Sequence, residues 1–169
     1  MLRTIEEQDL PYFRDWRNQL TRYFRQYKQL TPYDEAKWYE EILTDPNQFH
    51  FSIWYNGAVV GCCGLKVNQH NRSGEISLYI GDPKVGGIPV YIDEKAAPLA
   101  LKDLMSFAFD TLGLHRVWAE VFDYDDKKAR LLDDAKFTRE GTLADTYFKT
   151  GKFVSSIMFG YLESEWRSA

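Results

Sequence analysis

The residues with the most chemical potential lie between Ser73 and Leu101. In the run "GEISLYIG", strand alternation puts Ile76, Leu78 and Ile80 on one face and Glu75, Ser77 and Tyr79 on the other, and the second face is too polar for pure core. A carboxylate partly buried on such a face holds its proton more tightly than in water, which brings Glu75 toward the range of a general base. Downstream, a strand, a loop bearing Gly86 and Gly87, and a helix start around Lys95, Ala96 and Ala97 follow in the order that makes an anion cradle. Amide hydrogens and the helix dipole converge at such a point. Asp93 offers a plainer reading of the same residues, since Asp just before a helical run caps it.

The elements that must position these groups follow from periodicity and punctuation. A short strand spans Leu2 to Ile5, and Asp9 is placed to cap a helix whose stripe is Leu10, Phe13, Trp16, Leu20 and Phe24. Thr31 and Pro32 open a second helix with Trp38 and Ile42 inward. "FHFSIWYNGAVVGCCGLKV" reads as strand, Asn56-Gly57 turn, strand, and Glu75 to Ile80 completes an antiparallel meander. Ala97, Leu101, Leu104 and Ala108 mark a helix from Ala96 to about Leu112, which Gly113 stops. "HRVWAEVF" is a strand, "DDKKARLLDDA" a helix, and Phe137 to Tyr147 with Lys152 to Leu162 a closing hairpin, with a bulge at Arg139-Glu140-Gly141. The sum is a mixed α/β domain, β-α-α-β-β-β-α-β-α-β-β, with a crossover at its centre.

Composition narrows the function classes. The 169 residues suit one domain with a real core, and an aromatic share of 16% suits a lined cavity. A net charge of −4 argues against a broad nucleic-acid surface, and the basic stretch Arg14, Arg17, Arg22, Arg25 and Lys28 reads as a solvated helix face. No apolar run is long enough to span a bilayer, so a cytoplasmic protein is expected, with no membrane partner. Cys62 and Cys63 point to opposite strand faces and read as small apolar fillers; His50, His70 and His115 have no ligand spacing, so no metal is expected.

With "WRN" at Trp16 to Asn18, "NRSGEISLYIG" at Asn71 to Gly81, "FAFDTLGLHRVWAEV" at Phe107 to Val121 and "FTREGTL" at Phe137 to Leu143, nearly the whole chain resembles the GCN5-related N-acetyltransferases (GNAT). The nearest branch includes ribosomal-protein N-terminal, polyamine and nucleotide-sugar acetyltransferases. The resemblance implies a mostly antiparallel sheet with a splayed parallel pair and acetyl-CoA as donor. Pantetheine would lie along Leu78, Tyr79 and Ile80, and pyrophosphate on the loop and helix start, at Gly86, Gly87, Lys95, Ala96 and Ala97. Glu75 matches the family glutamate as base, and the amide of Tyr79 or Ile80 is a candidate to hold the thioester carbonyl. The usual tyrosine acid is missing from its place, which leaves Tyr124, Tyr147 or water to protonate the departing thiolate. Trp16, Arg17 and Asn18 would border the pocket of an amine acceptor: a small metabolite, an amino sugar or a protein terminus. A monomer or homodimer is expected.

Two departures from the family pattern stand out. The strand-to-helix segment is about six residues longer than usual and carries Asp93 and Glu94 where phosphate would lie. The positions of the family's second cofactor contact hold Asp125, Lys128 and Leu132. An alternative is therefore a binding module that keeps this fold without using acetyl-CoA.

Overall fold

A computed structural model describes residues 1–81 and 91–169. The strands are β1 (Leu2–Thr4), β2 (Gln48–Tyr55), β3 (Ala58–Asn68), β4 (Ser73–Ile80), β5 (Arg116–Phe122), β6 (Thr138–Lys149) and β7 (Lys152–Leu162). The helices are α1 (Leu10–Gln19), α2 (Pro32–Thr44), α3 (Ala96–Ser106), α4 (Asp126–Asp134) and α5 (Glu163–Ser168). Among the described residues the strands form one seven-stranded sheet ordered β1-β2-β3-β4-β5-β7-β6, in which only β4 and β5 run parallel. This is the mixed α/β architecture expected from the sequence.

Alternation along β2 assigns the layers. His50 meets Trp38 of α2 at 5.4 Å, while Phe49 and Phe51 on the opposite face meet Phe107, in the π-helical turn Phe107–Thr111 that extends α3. The α1 and α2 pair therefore covers one face and α3 the other. Gly113, at φ +62°, ends this helix as expected. Thr31 caps α2 through a capping box with Asp34, and Pro32 occupies its first turn.

Several expectations are corrected. Asp9 does not cap α1. Its carboxylate is buried, accepts hydrogen bonds from Arg3 at 2.7 and 2.8 Å and from Ser52 Oγ at 2.6 Å, and so ties the helix start to β1 and β2. α1 stops at Gln19 instead of running through Phe24, and the connection turns through a 3-10 segment, Thr21–Tyr23. The basic stretch is consequently no helix face: Arg14 meets Glu35, Arg25 meets Glu75 and Glu120, and Lys28 meets Asp34. The bulge at Glu140 is present, because Arg139 pairs with Phe159 and Gly141 with Met158. Beside the bulge, the missing side chain of Gly160 makes room for the Arg116–Glu140 ion pair, whereas a Cβ at Gly141 would meet nothing within 4 Å. α5 adds to the expected elements; Trp166 packs on Phe109 at 5.8 Å and donates to Asp110.

Gly81 seats α1 against the end of β4. A Cβ there would lie 2.1 Å from the Trp16 ring, which is itself buried. Gly81→Ala should lower the urea midpoint with an unchanged m-value, a loss of about 1–3 kcal/mol from overpacking; an unchanged midpoint would show that α1 yields without cost.

Candidate active site

The central feature is a gap between parallel neighbours. β4 and β5 pair only at Ser73–Arg116, Gly74–Val117 and Glu75–Trp118, and beyond that they separate. β4 stays paired with β3 to Ile80, and β5 with β7 to Phe122, so each strand is held on its far side. A cavity of about 310 Å³ opens from the fork, bounded by Glu75 to Tyr79, by Glu120 to Phe122 and by residues of α1 and α2.

Backbone direction decides which amides face this gap. Gly81 N–H donates to Val60 of β3, and Ile80 N–H donates to the Tyr91 carbonyl at 2.8 Å. Since amides alternate along a strand, the Leu78 N–H points into the gap and that of Tyr79 points to β3. Neither amide suggested for the thioester carbonyl is available, and the Leu78 amide is the one directed into the gap. Tyr91 closes the far end, its ring stacked on Tyr23 at 4.3 Å, and Asp125 borders the cavity beside it.

At the fork two carboxylates face each other. Glu75 Oε1 accepts from Arg25 Nη1 at 2.9 Å, and no cross-strand pair with Lys66 or Arg72 forms. Glu120, two residues past the partner of Glu75, accepts from Ser156 Oγ at 2.6 Å on Oε1 and from Tyr147 and Arg25 on Oε2, at 3.1 and 3.0 Å. Both Glu120 oxygens are thus engaged, whereas Glu75 Oε2 has no partner among the described residues. Of the two, Glu75 has the lone pairs to accept a proton. The Tyr147 phenol is kept protonated, because burial raises its pKa despite nearby Arg25.

The other predicted site residues divide. Tyr124 donates to the Arg22 carbonyl at 2.6 Å, stacks on Phe122 and does not line the cavity. Trp16 is core, and Asn18 clamps Leu30 through both its amide groups, at 2.8 and 2.9 Å. Arg17 lines the cavity. Asp125 caps α4 by accepting from the Lys128 amide, and burial raises the Asp125 pKa and lowers that of Lys128; both side chains border the cavity. Lys95 is exposed and Ala97 is buried at the start of α3. Gly86 and Gly87 lie outside the described residues.

The start of α3 already has an anion. Asp93 Oδ1 accepts from the amides of Lys95 and Ala96, each at 2.5 Å. Pro98 has no amide hydrogen, so of the four positions ahead of the first intrahelical bond Ala97 alone keeps a donor. The residues of the gap fit a pantetheine arm, while the helix start offers a diphosphate a reduced cradle.

Sequence reading missed Arg25, Glu120, Ser156, Tyr91, Glu35 and His50. Glu120 carried a signal, an acidic residue on the same alternating face of "VWAEV". Glu35, on α2, is buried and its pKa is raised to about 7, chiefly by burial, with Arg14 opposing. Burial lowers His50 to about 4, so that imidazole stays neutral. Burial raises the Cys62 thiol to about 12, consistent with its expected role as a filler. Among the described residues no group of three His, Cys, Asp or Glu could hold a metal, and no helix is long and apolar enough to cross a membrane.

Comparison with known proteins agrees with this fold. The acetyltransferase (GNAT) domain family matches residues 1–138. An uncharacterized N-acetyltransferase, p20, of Bacillus licheniformis is 24% identical over 150 residues, covering 83% of this chain and 80% of that protein. The crystal structure of a spermidine N-acetyltransferase from Vibrio cholerae in complex with CoA and spermine is similar with a TM-score of 0.87, at 20% identity over 99% of this chain and 97% of that one. A dodecameric structure of spermidine N-acetyltransferase from Vibrio cholerae is similar with a TM-score of 0.81, at 22% identity over 100% and 98%.

Two outcomes follow from the charges around the cavity. The Glu35 carboxyl is raised from 4.5 to about 7 in the folded chain, so its contribution is fully present below the unfolded value and is lost as pH rises through the folded one. Denaturation midpoints should fall from about pH 5 to pH 7, and Glu35→Gln, neutral throughout, should flatten that slope. Asp93→Asn should tighten CoA binding by removing a negative charge from the α3 start, while changing the affinity for pantetheine little; calorimetric titration of both ligands reads the difference.

Proposed function

Because the chain belongs to the acetyltransferase (GNAT) domain family, we propose that it transfers the acetyl group of acetyl-CoA to a primary amine at the β4–β5 fork. The observation that carries this reading is the fork itself: the strands diverge immediately after Glu75, leaving that side chain with an uncommitted oxygen at the mouth of the gap. Acetyl-CoA, the donor of the family, supplies the thioester. Glu75 takes the proton an ammonium must shed before it can attack, the Leu78 amide is directed to where a carbonyl oxygen would gather charge, and Tyr147 keeps a phenolic proton on the opposite wall. Glu120 fixes Tyr147 and Arg25 in place.

An amine acceptor also agrees with the comparisons, since the related Vibrio cholerae enzyme is a spermidine N-acetyltransferase bound to CoA and spermine. A small metabolite, an amino sugar and a protein terminus all present such an amine. The second reading, a binding module without acetyl-CoA use, draws on one observation, the Asp93 carboxylate on the Ala96 amide.

Thermal unfolding with and without acetyl-CoA separates the two. Acetyl-CoA at a hundredfold its Kd should add about 2.7 kcal/mol and raise Tm, and no shift at millimolar concentration would favour the binding module. Glu75→Gln should keep that shift while kcat falls roughly 10²–10⁴-fold; unchanged turnover would remove Glu75 from the chemistry.

A further inference from the structure

Within the cavity the charges are unevenly arranged. At the fork, Glu75 and Glu120 both pair with Arg25, and Lys128 also borders the cavity. At the α1 side, Arg17 borders the cavity with Phe24, His50, Cys62 and Tyr79, its guanidinium carbon 5.2 Å from the centre of the Phe24 ring. The Arg17 Nε is buried and has no hydrogen-bond partner among the described residues. Of the other basic residues in this stretch, Arg14, Arg25 and Lys28 each meet a carboxylate, while Arg22 lies over the rings of Tyr23 and Tyr124. The two α2 carboxylates that border the cavity have other partners. Glu35 turns to Arg14, and Asp34 is held by Lys28, by the Thr31 amide and by the Thr31 hydroxyl.

An Arg17 Nε–H withdrawn from water without a hydrogen-bond partner is costly to keep, and stacking of the guanidinium on one ring offsets only a fraction of that cost. A planar carboxylate would satisfy it with two parallel hydrogen bonds. We infer that Arg17 is the anion receptor of the acceptor pocket, and that the preferred acceptor is a zwitterion whose amine meets Glu75 while its carboxylate meets Arg17. The inference rests on the acetyltransferase reading and makes it narrower: an amine carrying only further positive charge would be repelled at this end.

The test uses amino carboxylates of increasing length, from glycine and β-alanine through γ-aminobutyrate to ε-aminocaproate, each beside its own carboxamide, with spermidine as the purely cationic probe. With acetyl-CoA and thiol detection, the carboxylate of at least one length should exceed its carboxamide in kcat/KM by about tenfold, mostly through KM. Arg17→Gln should bring the pair level, and Arg17→Lys should retain some of the preference. Carboxamides or spermidine used as well as the carboxylates would overturn the inference while leaving the acetyltransferase reading intact. A second readout does not need turnover: in nitrogen-15 NMR the Arg17 Nε–H signal, assigned by its loss in Arg17→Lys, should shift with carboxylates and not with carboxamides. A signal unmoved by the whole series would overturn the inference even if no probe is acetylated, whereas failure of acetyl-CoA to shift Tm would count against the acetyltransferase reading alone.

Discussion

The structure depends on two parallel strands that stop pairing. β4 and β5 keep three residue pairs and then diverge, although each remains in register with its outer neighbour, β3 or β7. Unpaired strand edges inside a sheet leave amides and carbonyls that need partners. Here the need is met unequally. The Ile80 amide takes the carbonyl of Tyr91, and the Leu78 amide is directed to the open space. A sheet interrupted at its centre thus becomes a binding slot with polar backbone on its walls, floored by the last pair, Glu75 and Trp118.

The connection between α1 and α2 forms the lid of this slot, and it is held by groups whose types alone would suggest chemistry. Lys149, buried at the end of β6, donates to the carbonyls of Thr21, Phe24 and Gln26, at 3.3, 2.7 and 3.0 Å. Asn18 clamps Leu30, and Tyr124 holds the carbonyl of Arg22. These three anchors leave Arg25 facing the fork, where it bridges carboxylates from both diverging strands. Burial lowers the Lys149 pKa, and the three carbonyls compensate for water it has lost. A polar side chain that fixes irregular backbone is as constrained as one that meets substrate, which is why residue type alone does not separate them.

That distinction accounts for what was legible in the sequence. The order of strands and helices, the Asn56-Gly57 hairpin, the Thr31 cap and the Gly113 stop all rest on local rules, and the structure follows them. Glu75 was visible because alternation places it on a polar face. Arg25 and Lys149 were not, because their partners lie 50 to 128 residues away along the chain and no period links them. Asp9 shows the reverse case: a residue type suited to a helix cap is drawn instead into a buried pair with Arg3, a long-range use that outweighs the local one. The family resemblance located the slot, while the choice of Leu78 over Tyr79 required the direction of the backbone.

The most direct measurement of the central claim is hydrogen exchange at single amides along β4, with and without CoA. The account predicts that Leu78 exchanges faster than Tyr79 and Ile80 in the free protein and becomes protected when CoA is added, while the other two, already bonded, change little. Equal protection of all three amides in the free protein, or a Leu78 amide indifferent to CoA, would contradict the slot on which the proposed chemistry stands.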